Sequence, residues 1–252
     1  MKKTLLAVAL GLTCLAAHAG TVQFSVDHAQ LNNGYPSANE QHLSVQTAAT
    51  SQDQLSVYLD HLNDWGQTAT LGTVSDTHAF TNDLSVTAQF GGSDQGTIAA
   101  QYQGGLMVNA KVLPQRNLVL GLGLDHLKMR TGDKADSFTT QAVYYVPGLP
   151  LALQGDAVYQ RANSSRGGMR YVLAATYGQV GQWTAGLSAS TGRVNYNLVQ
   201  YPGAIADYNS TTIQANARYW MSKTWGLVAN ASRVHNTYYT RNSLGVGVFA
   251  NF

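Results

Sequence analysis

Cysteine, proline and charge are what this chain of 252 residues has least of, with one Cys, five Pro and 11% charged residues. Each shortage excludes something. The lone Cys14 lies in the leading segment, so the remainder carries no thiol and no disulfide framework of the kind that staples small secreted folds. Soluble domains carry about 25–35% charged residues on their surfaces, well above what this chain supplies. No stretch beyond the leading segment holds about 18 consecutive apolar residues, which excludes transmembrane helices. Lys and Arg form no cluster able to neutralise several phosphates, so nucleic acid is not an expected partner. The sequence implies no metal and no cofactor.

What is present begins with a leader. Lys2 and Lys3 form a basic start, Leu5 to Ala16 an apolar stretch too short to span a bilayer, and Ala17-His18-Ala19 a small-x-small cleavage site. This pattern predicts a secretory signal peptide over 1–19, with Ala17 and Ala19 as the cleavage-site residues and Gly20 as the first mature residue. A lipoprotein signal wants Leu three residues before Cys14, where Gly11 stands. Two of the 15 basic residues lie in the leader and none of the 13 acidic ones, so the mature chain is neutral.

From Gly20 onward, apolar and polar residues alternate in segments of about ten. The last segment is the clearest: Leu244, Val246, Val248, Ala250 and Phe252 fall at every second position, with Gly245, Gly247 and Asn251 between them and Phe249 as the exception. Leu118, Leu120, Leu122 and Leu124 repeat the pattern against Gly121, Gly123 and Asp125. Short polar turns near 51–54, 81–83, 114–117, 147–150, 178–182 and 221–224 join seven hairpins, and looser loops close their far ends. A chain that crosses a bilayer without helices must close its strands, because backbone groups find no water in hydrocarbon. The expected fold is therefore all-β, a transmembrane up-and-down antiparallel barrel of about 14 strands, with 12 to 16 allowed, over residues 20–252. A soluble sandwich would alternate as well, but the polar faces here would make it a poor core.

If the leucines face lipid, their neighbours face the lumen. The lumenal charges are then Asp27, Asp60, Asp125 and Asp156 in the middle and upper part, Arg170 near the outer end, and Lys111 and Arg218 towards the periplasm. Asp156 and Arg170, on neighbouring strands, are the expected ion pair. Tyr177, Trp183, Tyr219, Trp220 and Trp225 flank two short turns, as an interfacial aromatic girdle would. Three rising strands carry Asp-His dipeptides, Asp27-His28, Asp60-His61 and Asp125-His126. Such pairs suggest proton transfer, but adjacent strand residues point to opposite faces, so none is a dyad by itself. His235 lies near Ser232 with no orienting acid or oxyanion donor, so no catalytic residue is assigned. Tyr196, Tyr201 and Tyr208, in a loop expected over 193–209, would serve as outer belt or as sugar-stacking platforms.

The signal site, the hairpin rhythm and the closing Gly247-Val248-x-Ala250-x-Phe252 resemble bacterial outer-membrane β-barrels, whose terminal strand is the assembly signal. Ala250 departs from the second aromatic common at that position. Within that class the size, the tyrosine-bearing first loop and the lack of plug domains look like the YaiO-type family. That resemblance implies a Gram-negative outer membrane, a link to surface polysaccharide and biofilm, and lipid, lipopolysaccharide, periplasmic chaperones and the barrel-assembly machinery as partners. The expected function is a non-enzymatic, porin-like route for a polar solute or exopolysaccharide. The alternatives are a structural or adhesion barrel binding polysaccharide or a partner through its loops, and a rim lipid hydrolase or protease.

Overall fold

A computed structural model describes residues 19–163, 167–197 and 205–252. Ala17, Cys14 and Tyr201 lie outside the described residues, as do the side chains of Tyr196 and Tyr208. Fourteen strands follow one another: β1 (Gly20–Leu31), β2 (Ala38–Ala48), β3 (Asp53–Asp64), β4 (Gln67–Ala79), β5 (Leu84–Ser93), β6 (Tyr102–Val112), β7 (Leu118–Lys128), β8 (Lys134–Tyr145), β9 (Leu151–Ala162), β10 (Gly168–Gln179), β11 (Trp183–Asn197), β12 (Ile205–Trp220), β13 (Trp225–Asn236) and β14 (Thr240–Asn251). Each pairs with its sequence neighbours, all antiparallel, and β1 pairs with β14 from Thr21↔Asn251 to Leu31↔Arg241, so the sheet closes on itself. Closure removes both edges and satisfies the backbone ladder all round.

The alternation sets the two faces. On β7, Leu120, Leu122 and Leu124 are 45–62% exposed on the outside, whereas Gly121 and Gly123 between them are buried. Phe24, Val108, Leu153, Leu173, Leu187 and Val246 continue that outer apolar band round the barrel. The buried apolar side chains are mostly alanines, with Trp220 and Phe249 as the large exceptions. No dry centre is packed among the described residues. This wall is apolar outward and polar inward, the reverse of a water-soluble barrel.

The first strand begins and the last strand ends on one rim, where Gly20 and Phe252 exchange backbone hydrogen bonds of 2.8 and 3.0 Å. The connections on that rim are three to five residues long and those on the other rim two to eight, which makes the first rim periplasmic and the second extracellular. Trp65-Gly66, the shortest connection, has φ of 56° and 71° at its two residues, the twist-matched hairpin turn.

Two expectations change. The loop expected over 193–209 gives way to strand at both ends, because β11 and β12 pair as far as Asn197↔Ile205. β4 is a strand of 13 residues whose outer face carries Asp76 opposite Leu55. Trp220 does not belong to the outer girdle: it shares the inward parity of Arg218 and is only 9% exposed. Tyr177, Trp183, Tyr219 and Trp225 stand outward, each more than 40% exposed, with Tyr177 and Trp183 rings 5.7 Å apart.

Candidate functional site in the barrel lumen

Register places Asp27, Asp60, Lys111, Asp125, Asp156, Arg170 and Arg218 on the inward face, and strand parity alone fixes this once the apolar row is known. Asp156 and Arg170 do not pair, however. Asp156 stands opposite Val172 and Arg170 opposite Val158, two steps away, and the Asp156 carboxylate accepts from Gln154 Nε2 at 2.9 and 3.1 Å. Asp125 accepts from Gln89 across β6 at 3.0 Å.

The lumenal charges gather elsewhere, on β1, β2, β3 and β14. His42, inward on β2, sits between two strands: its Nδ1 lies 2.7 Å from Asp60 Oδ1, and its Nε2 lies 3.6 Å from Asp27 Oδ2 and 3.5 Å from Glu40 Oε2. One turn of the wall above, Arg241 reaches from β14 over β1 and donates to Asp64 Oδ2 at 2.9 Å and to Glu40. Asp64 is 7% exposed, and its Arg241 fork supplies the paired charge that such burial requires. Four carboxylates thus face one guanidinium and one imidazole, a local excess of negative charge whether or not His42 holds a proton.

Sequence reasoning missed Glu40, His42, Asp64 and Arg241. Glu40, Asp64 and Arg241 lie at strand ends, outside the alternating rows that the sequence picks out. His42 was legible: with Leu43 and Val45 outward, the parity of β2 turns Glu40, His42, Ser44 and Gln46 inward. The imidazoles of the Asp-His dipeptides face out and bond cross-strand neighbours instead, His28 to Asn39 at 3.0 Å, His61 to Thr70 at 3.1 Å and His126 to Asp136 at 2.7 Å. His235 likewise bonds Thr240 at 2.9 Å on the outer face, whereas Ser232 faces inward, so the two do not form a catalytic pair.

Among the described residues, two cavities follow the lumen. The upper, about 510 Å³, is lined by Asp27, His42, Asp60, Asn230, Gln214 and Arg241 among others. The lower, about 630 Å³, opens at the periplasmic rim beside Gln46, Asn251 and Phe252. Between them Arg218 spans from β12 to Gln23 on β1, its guanidinium 4.6 Å above the Phe249 ring centre and 5.7 Å from that of Trp220. Phe249, the exception in the closing strand's alternation, is 2% exposed and meets Trp220 edge-on at 5.0 Å. Cation–π stacking and a fixed amide partner hold a positive charge here. At the extracellular mouth Tyr35, Trp65 and Tyr239, from three different turns, meet edge-on at 4.9 to 6.1 Å.

A search of curated proteins found no match by sequence. Solved structures match over almost the whole chain. A bacterial polysaccharide outer membrane secretin aligns with TM-score 0.61 at 10% identity, covering 92% of this chain and 97% of that one. The CymD monoaromatic hydrocarbon channel aligns with TM-score 0.59 at 11% identity, over 93% and 88%. An anion-selective porin from Comamonas acidovorans aligns with TM-score 0.51 at 11% identity, over 92% and 98%. These likenesses show a common fold, the closed antiparallel barrel of outer-membrane proteins. The model of the YaiO membrane beta barrel domain matches residues 19–197, more than half of the sequence, and the chain belongs to that family.

Proposed function

We propose that this chain is a non-enzymatic outer-membrane barrel that gives a polar solute or a nascent exopolysaccharide a route across the membrane. The observation that carries the reading is the lumen: a polar face with two cavities in line, interrupted by side chains and by no folded plug among the described residues. Fourteen strands enclose more than the eight-stranded barrels whose interiors side chains already fill. Amide and hydroxyl groups such as Gln23, Ser44, Gln214 and Asn230 suit a hydroxyl-rich solute, and the fold of a polysaccharide secretin lends support. Export through a signal cleaved after Ala19, with the closing residues Gly247, Val248, Ala250 and Phe252 read by the assembly machinery, belongs to the same proposal.

Planar-bilayer recording on refolded barrel tests it. Stepwise conductance is expected, rising in Trp220→Ala and Phe249→Ala. The second reading, a closed structural or adhesion barrel, is favoured by the Arg218–Gln23 bridge and the interlocked Tyr35, Trp65 and Tyr239 at the mouth. Silence in the wild type and in both variants would favour that one.

A further inference from the structure

The outer face of β7, β8 and β9 changes character row by row towards the extracellular rim. Leu124, Phe138 and Tyr159 stand side by side, apolar and 43–62% exposed. Two residues higher come His126, Asp136 and Arg161, and two higher still come Lys128, Lys134 and Asn163, where Asn163 donates its backbone N–H to the Lys134 carbonyl at 3.1 Å. Hydrocarbon gives way to positive charge within about 7 Å of strand rise per step of two residues.

Lys128 and Lys134 are direct cross-strand partners on one face. Like charges so placed repel and destabilise a strand pair. Two acids stand nearby. Asp136 is the direct cross-strand partner of Arg161 and bonds His126 at 2.7 Å, and Asp133 accepts the Thr131 hydroxyl at 2.6 Å. Among the described residues no carboxylate forms an ion pair with Lys128, Lys134 or Arg161. Lys128 is instead held 5.7 Å from the Tyr102 ring centre, and that ring packs 6.1 Å from the His126 ring. The amine is positioned but not neutralised.

We infer that this edge is a docking site for the phosphates of an outer-leaflet phosphoglycolipid. Lys128 and Lys134 take the phosphates, and the Leu124, Phe138 and Tyr159 row below lies against the acyl chains. The geometry suits a lipid: the cations sit directly above the lipid-facing band, at headgroup depth, and face away from the lumen. A phosphate between the two lysines turns their repulsion into a shared attraction. The inference stands apart from the transport reading, since it concerns the outer wall alone.

Native mass spectrometry of the full refolded barrel in detergent tests it, with bisphosphorylated lipid A and its dephosphorylated counterpart as probes. The wild type is expected to retain the phosphorylated lipid, and K128Q/K134Q to bind it roughly ten- to thirtyfold more weakly. Arg233→Gln, outward at the rim on β13, is the control and keeps wild-type binding. A thermal readout separates binding from folding. Without lipid A, K128Q/K134Q melts no lower than the wild type, since a repulsion has been removed; with it, the wild type gains more. Equal binding by K128Q/K134Q, equal binding of the dephosphorylated lipid, displacement by millimolar inorganic phosphate, or a dimer in place of the lipid adduct would each overturn the inference.

Discussion

Arg241 joins three strands through one side chain, and its removal takes the guanidinium from two carboxylates inside the wall. Arg241→Ala leaves Asp64 without a counter-charge and Glu40 with His42 alone, and loss of one partner from such a buried set costs about 3 kcal/mol. Urea unfolding of the barrel in phospholipid vesicles measures it. Arg241→Lys is expected to lose less, because an ammonium serves one carboxylate where the guanidinium forks to two. A variant that also carries Glu40→Gln and Asp64→Asn should recover part of the loss. The contrast with Phe249 is instructive: a large ring deleted there costs about 3 kcal/mol as cavity and transfer energy, with no charge involved. Trp220→Ala should resemble it, and both should leave Arg218 without its aromatic floor.

Among the elements, β14 closes the sheet and is tightly constrained. A Cβ on Gly247 would overlap the Phe24 carbonyl oxygen of β1, a backbone atom that moves only if the closure itself shifts. A Cβ on Gly245 would meet the ends of Asp27 and Asn230 side chains, which can turn aside. Gly247→Ala is therefore expected to destabilise the barrel more than Gly245→Ala, and to do so in refolding experiments that contain no assembly machinery. If the two variants unfold alike in urea, the backbone contact is not what requires glycine at 247. The strands themselves were legible in sequence, since a two-residue period on β7 and β14 leaves little choice of face. Trp220 was not, because an aromatic beside a turn reads the same from either side of the wall. Nor was the length of β11 and β12: Asn, Tyr and Gly read as loop, yet the two strands keep their register as far as Asn197↔Ile205, eight pairs beyond Ala189↔Ile213.

For the whole barrel, the proposed route gives the charge balance of the lumen a measurable consequence. The described inward charges are Asp27, Glu40, Asp60, Asp64, Asp125 and Asp156 against Lys111, Arg170, Arg218 and Arg241, and the acids crowd one wall of the upper cavity. Carboxylates lining a narrow aqueous path raise the local concentration of cations. The reversal potential in a salt gradient is expected to show cation preference, and Asp27→Asn with Asp60→Asn should bring it towards zero; a preference for chloride in the wild type would contradict this. An amine-bearing saccharide should block the current at lower concentration than its neutral counterpart. None of this was visible while the lumenal set lacked Glu40, His42, Asp64 and Arg241, for the seven residues found by parity comprise four acids and three bases, close to balance.

Gly20 and Phe252 lie within one pair of backbone hydrogen bonds of each other. A short peptide could link them, and new termini could be cut at any exposed turn, giving a circularly permuted chain with the same cylinder and the same neighbours. In such a chain the Val248, Ala250 and Phe252 stripe would be internal. Spontaneous folding in detergent should survive the change while delivery in the cell fails, which would separate what these residues do as wall from what they do as address.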